Sequence, residues 1–162
     1  MTYSELLQQL TVESQDNGEV FTQTNRLERI KSLLRDSSYE LLYAGNLALI
    51  YGKKGVTPAK ARLLVSSHID TVYTHCFCEE TDTHWKGTFD NSATNTALIQ
   101  LMLENKIGDH VLIAFTGDEE IESRGAQEVK RWCSQQTWHP SAILVLDVTN
   151  EGWDDSVSFS IE

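Results

Sequence analysis

The feature that most constrains this chain is an alternation of apolar runs and helical patterns between residues 62 and 146. Strand-length apolar runs at Arg62 to Ser67, Val111 to Thr116 and Ala142 to Leu146 are separated by helix-length segments at Ser92 to Glu104 and Arg124 to Ser134. Strands and helices in this order bury their apolar faces as an α/β sheet covered by helices. Upstream, Thr2 to Leu10 and Thr24 to Leu34 place apolar side chains at helical intervals, as in Leu27, Ile30, Leu33 and Leu34. Two amphipathic helices over one sheet face are expected. Glu40 to Tyr43 and Asn46 to Tyr51 flank the turn-forming Ala44-Gly45-Asn46 and predict a β-hairpin, followed by a loop from Gly52 to Lys60 containing Pro58. A last alternating run, Ser156 to Ile161 with Val157, Phe159 and Ile161, suits a half-exposed strand near a sheet edge.

The apolar runs end in ionisable side chains. The first passes into His68-Ile69-Asp70, the second into Asp118-Glu119-Glu120 and the third into Asp147. Ligands of open α/β sheets bind beyond the carboxyl ends of the strands, so these groups converge if the three strands are parallel neighbours. Converging carboxylates require a cation. Each cluster alone has a plainer reading. His-x-Asp is an ordinary strand end, Glu119-Glu120 an ordinary helix start, and Asp90-Asn91-Ser92 an ordinary cap for the helix that follows. Asp147 is harder to dismiss, because a carboxylate ending a buried strand needs a partner and no basic residue lies near it in sequence.

Charge narrows the function classes. With 24 acidic against 13 basic residues the formal net charge is -11, which disfavours nucleic acid and anionic lipid as partners. Residues 1 to 10 show no basic stretch leading into an apolar run, and no segment is apolar enough to span a bilayer, so a cytoplasmic location is the default expectation. Cys76, Cys78 and Cys133 cannot all pair and lack zinc-ligand spacing, which favours reduced thiols. A nucleotide-binding fold of flavodoxin or Rossmann type fits poorly, since no glycine-rich phosphate loop is present and the acidic strand ends repel phosphate.

In order, His68-Ile69-Asp70, Gly87-Thr88-Phe89-Asp90-Asn91, Gly117-Asp118-Glu119-Glu120 and Asp147 resemble the motifs of the co-catalytic two-zinc exopeptidases and deacylases. That superfamily includes carboxypeptidases, aminopeptidases, tripeptidases and acetylornithine deacetylase. The resemblance implies a three-layer α-β-α fold with a mixed, mostly parallel central sheet and helices on both faces. It implies two divalent ions, zinc first, with cobalt or manganese as substitutes. His68 and Asp147 would hold one, Glu120 the other, and Asp90 would bridge them. Asp70 would orient His68, and Glu119 would be the general base that activates water. The substrate would be a peptide or an N-acyl amino acid, and a homo-oligomer is compatible with the pattern.

The chain departs from that family in two respects. The family closes the Glu120 position with a downstream histidine, and none follows His139. His110 and His139 precede their strands and belong to the opposite edge of the sheet, while His75 and His84 lie in the loop after His68 and read as surface residues. The family also inserts a lid or dimerisation domain, for which residues 148 to 162 leave no room. The expectation is therefore a single catalytic-type domain over residues 1–162, incomplete in its C-terminal part. The alternative is an inactive or fragmentary homologue that keeps the fold and at most one metal position and acts as a binding or regulatory protein.

Overall fold

The computed structural model describes residues 1–13 and 24–148, so the Ser156 to Ile161 run lies outside the described residues. The first helix, α1 (Tyr3–Gln8), starts at Thr2, whose hydroxyl accepts the Glu5 amide while the Glu5 carboxylate accepts the Thr2 amide. This reciprocal cap satisfies two donors that a helix start leaves free. A π-helical turn (Gln9–Glu13) extends it, and α2 (Thr24–Leu34) follows. Strands β1 (Tyr39–Ala44) and β2 (Ala48–Lys53) form the expected hairpin. The loop after β2 holds a short 3-10 turn, Pro58–Lys60.

The alternating half then supplies β3 (Leu63–His68), α3 (Ser92–Leu103), β6 (Val111–Thr116), α4 (Arg124–Gln135) and β7 (Ala142–Leu146). Between β3 and α3 lies a small separate hairpin, β4 (Cys78–Glu80) with β5 (Trp85–Gly87), which the sequence reading treated as loop. The main sheet has the order β1-β2-β6-β3-β7. β6, β3 and β7 run parallel, whereas β1 with β2 and β2 with β6 are antiparallel. The fold is a mixed α/β sheet with helices on both faces.

Alternation along the central strands divides the core into two layers. Val65, Ile113 and Phe115 point to one face, where Leu6, Leu10, Leu27, Ile30, Leu34, Ile99 and Met102 of the first three helices cover them. Leu64, Leu112 and Ala114 point to the other face, against Val129, Trp132 and Cys133 of α4 and Trp138 beyond it. The Trp138 indole donates to the Ala61 carbonyl at 2.9 Å, which ties the segment before β7 to the start of β3. Gly125 permits α4 to begin against the end of β6, since a Cβ there would lie 2.5 Å from the Gly117 carbonyl oxygen.

One expectation is corrected. The apolar run of β7 predicts a buried strand, yet among the described residues it occupies the sheet edge, with Ile143 61% and Val145 69% exposed. An apolar run specifies strand but not position in the sheet, and an edge strand of this composition is indistinguishable from a central one in sequence. Among the described residues, no helix is long and apolar enough to cross a membrane.

Candidate metal centre

Because β6, β3 and β7 are parallel neighbours, their carboxyl ends form one rim. His68 pairs in register with Thr116 of β6, and Ser67 with Leu146 of β7, so the residues that follow each strand meet there. His68 is buried. Its Nε2 lies 3.1 Å from Asp147 Oδ1 and 3.2 Å from Asp90 Oδ1, and its Nδ1 lies 3.6 Å from Asp70 Oδ1. Two groups of donor atoms lie mutually within 4.8 Å, one from His68, Asp90 and Asp147 and the other from His68, Glu119 and Glu120. All six residues singled out in sequence thus arrive at the same rim.

The electrostatics are those of a crowded acidic site. Burial works against a charged His68, but the neighbouring Asp70, Asp90 and Asp147 carboxylates outweigh it, and the imidazole pKa is pushed up to about 11. Burial also works against a charged Asp70. The imidazole and the Glu120 and Glu119 amides prevail and hold its carboxyl below the ordinary value. Burial raises the Glu120 pKa, the Asp90 charge adds to that, and His68 opposes it.

Among the described residues, three buried atoms at this rim have no hydrogen-bond partner: His68 Nδ1, Asp70 Oδ1 and Asp90 Oδ1. The Asp70 contact is too long for a hydrogen bond, and the Asp90 contact is within ion-pair distance without hydrogen-bond geometry. An unsatisfied buried carboxylate oxygen is costly, and a cation beside Asp90 would satisfy it. One imidazole nitrogen with several carboxylate oxygens is a donor set that suits zinc and related divalent ions. The residues present therefore fit a divalent cation.

Behind the rim lies a buried polar network. The sequence predicts that one of Asp90, Asn91 and Ser92, with Asn91 or Ser92 favoured, caps α3. Asn91 occupies the cap position but makes no capping bond. Its Nδ2 donates instead to the Leu146 carbonyl at 2.8 Å and to Ser67 Oγ at 3.1 Å, joining α3 to β7 and β3. Ser67 Oγ donates to Asn95 Oδ1 at 2.8 Å, and Asn95 Nδ2 donates to the His68 carbonyl at 2.6 Å. On the β6 side, Asp118 adopts a left-handed backbone (φ 61°), and its carboxylate receives two guanidinium bonds from Arg124. That fork fixes the loop bearing Glu119 and Glu120.

Asn95, Arg124 and Arg26 were not singled out in sequence. Asn95 carried little signal, since its helix also bears the polar Ser92, Thr94, Thr96 and Gln100. Arg26 carried none, because an arginine on an amphipathic helix reads as part of its solvated face. The remaining histidines stay away from both donor groups. His75, His84, His110 and His139 are all exposed, and the His110 carbonyl accepts the Arg62 and Leu63 amides at the amino end of β3.

No protein-family model and no curated protein matches the sequence. A solved structure does resemble the fold. Aminopeptidase PepT from Bacillus cereus ATCC 10987 aligns with a TM-score of 0.60 over 90% of this chain, at 18% identity. The chain covers 42% of the PepT chain. It therefore shares the fold of part of an aminopeptidase over nearly its own full length while spanning less than half of that protein.

Proposed function

We propose that this chain is a metal-dependent hydrolase of peptide or N-acyl amide bonds, working with two divalent cations, zinc first. The observation that carries the reading is the meeting of His68, Asp90, Asp147, Glu119 and Glu120 at one strand rim around a buried, unpartnered Asp90 oxygen. The aminopeptidase fold supports it. His68 and Asp147 would hold one cation, Glu120 the other, and Asp90 would be shared. When bound, such cations supply Lewis acidity to the scissile carbonyl and acidify water.

The chain's own residues do the rest. Asp70 faces the Nδ1 side of the imidazole at 3.6 Å, which leaves Nε2 facing Asp90 and Asp147. Glu119 is exposed at the rim, and among the described residues nothing hydrogen-bonds its carboxylate. It takes a proton from the water that attacks the carbonyl and returns that proton to the leaving amine as the C–N bond breaks.

The test is direct. Purified protein incubated with zinc is assayed by mass spectrometry against dipeptides, tripeptides and N-acetyl amino acids, with Glu119→Gln as control. Zinc-dependent cleavage that Glu119→Gln abolishes is the expected result. Zinc uptake without any cleavage would move the reading to a second one, a binding or regulatory protein that keeps one cation position at His68, Asp90 and Asp147. That reading is favoured by the fact that, among the described residues, neither donor group contains a histidine other than His68. Failure to take up any divalent cation would sink both.

A further inference from the structure

We infer that Arg26, on α2, is a positioning residue of the candidate metal centre, holding the Ile69 carbonyl so that Asp70 meets His68 and the Glu120 amide. This rests on reading His68 and Asp70 as parts of a metal centre.

The argument begins where the sheet ends. The Ile69 amide still reaches the Thr116 carbonyl of β6 at 2.8 Å, but the next carbonyls are taken by side chains rather than by a neighbouring strand. Asn95 Nδ2 donates to the His68 carbonyl at 2.6 Å, and Arg26 Nη1 donates to the Ile69 carbonyl at 2.6 Å. The backbone of Ile69 is thus held on both sides, by β6 through its N–H and by Arg26 through its C=O. Asp70 follows directly on that carbonyl, so the place of its carboxylate is set by the same bond.

The guanidinium does more than a neutral donor would. Arg26 is only 6% exposed, and burying a charge is costly when one carbonyl could be served by an amide. Its second nitrogen, Nη2, faces Cys76 Sγ at 3.8 Å, so the rigid fork spans the two ends of the segment from Ile69 to Cys76. Burial works against the Arg26 charge, and the nearby Asp70 and Asp90 carboxylates offset part of that cost. A lysine could supply the charge and a donor to the Ile69 carbonyl, but not the planar fork.

The experiment uses the full chain, first without metal and then titrated with zinc. In metal-free protein, the ring nitrogens of the five histidines are followed by 15N NMR. Arg26→Met is expected to shift the His68 signals and leave those of His75, His84, His110 and His139 in place, which general unfolding would not do. Zinc affinity is expected to fall about 10-fold or more, the size of effect seen when a residue supporting a metal ligand is lost. Arg26→Lys should shift His68 less and recover part of that affinity. Unmoved His68 signals together with zinc affinity within about twofold of wild type, in either folded variant, would overturn the proposal. If Arg26→Met does not fold, Arg26→Lys alone decides, with the same two readouts. If the wild-type chain takes up no zinc, the metal reading fails on its own, and the His68 shifts in metal-free protein still test whether Arg26 positions that ring.

Discussion

The carboxylate of Asp70 accepts a hydrogen bond from the backbone amide of Glu120 at 3.1 Å, joining the end of β3 to the loop after β6. Its other oxygen faces His68 Nδ1. One buried side chain therefore sets both the ring that would ligate a cation and the loop that carries the proposed base and a second ligand. In sequence these parts are two short motifs some 50 residues apart.

Replacing Asp70 with Asn tests that linkage. The amide oxygen can still accept from Glu120, but the amide NH2 would then face His68 Nδ1 and force the proton onto Nε2. An Nε2–H cannot ligate. Asp70→Asn should therefore fold normally and bind zinc about 10- to 100-fold more weakly, measured by competition with a chelating dye. Affinity equal to wild type would show that Asp70 does not set the tautomer.

The raised His68 pKa makes zinc uptake a proton exchange. At neutral pH the metal-free imidazole carries a proton that a cation must displace, so apparent zinc affinity should rise about tenfold per pH unit across pH 6 to 8. Calorimetry in buffers of different ionisation enthalpy should find about one proton released per zinc. The linkage has a matching sign in stability. His68 is near 6.5 when unfolded and about 11 when folded, so its contribution to the metal-free fold is complete below pH ~6.5. It is lost as pH rises towards 11, and urea midpoints of metal-free protein should fall over that range.

Asn91 offers a stability test of the network behind the rim. Its Nδ2 donates to Ser67 Oγ in a buried setting and to the Leu146 carbonyl in a part-buried one. Asn91→Asp keeps the shape but turns these donors into an acceptor and adds a buried charge beside Asp90. The expected loss is on the order of 3 kcal/mol in urea unfolding, from unsatisfied groups and an unpaired charge. A loss under about 1 kcal/mol would mean that the network is not holding α3 to β7.

What could be read from the sequence was periodicity and order. The strand-helix alternation gave β3, α3, β6, α4 and β7 within a residue or so at each end, and parallel pairing of β6, β3 and β7 then brought His68, Asp90, Glu120 and Asp147 together. Edge position was not legible, because Ile143 to Val145 has the composition of a central strand. Nor was the role of Arg26, whose helix shows the ordinary amphipathic pattern and whose contacts are 43 and 50 residues away. Long-range side-chain partners leave no local trace. Asn91 shows the same limit from the other direction, since its local cap reading was displaced by a tertiary bond to Leu146.

The edge strand itself carries the last prediction. Among the described residues no strand pairs with the outer edge of β7, and Ile143 and Val145 stand exposed on the face shared with α4. Beside them runs an apolar groove of about 420 Å³ lined by Val129, Cys133, Trp138 and Pro140. An open, apolar edge of this kind invites association and binds hydrophobic dyes. A lysine at position 145 would put charge on that edge and blunt it, while the carboxyl-end rim lies on the far side of Leu146. Val145→Lys should therefore reduce anilinonaphthalene sulfonate fluorescence and light scattering at high protein concentration. Unchanged dye binding and scattering would show that this face is already covered in solution, and that the apolar edge is not free.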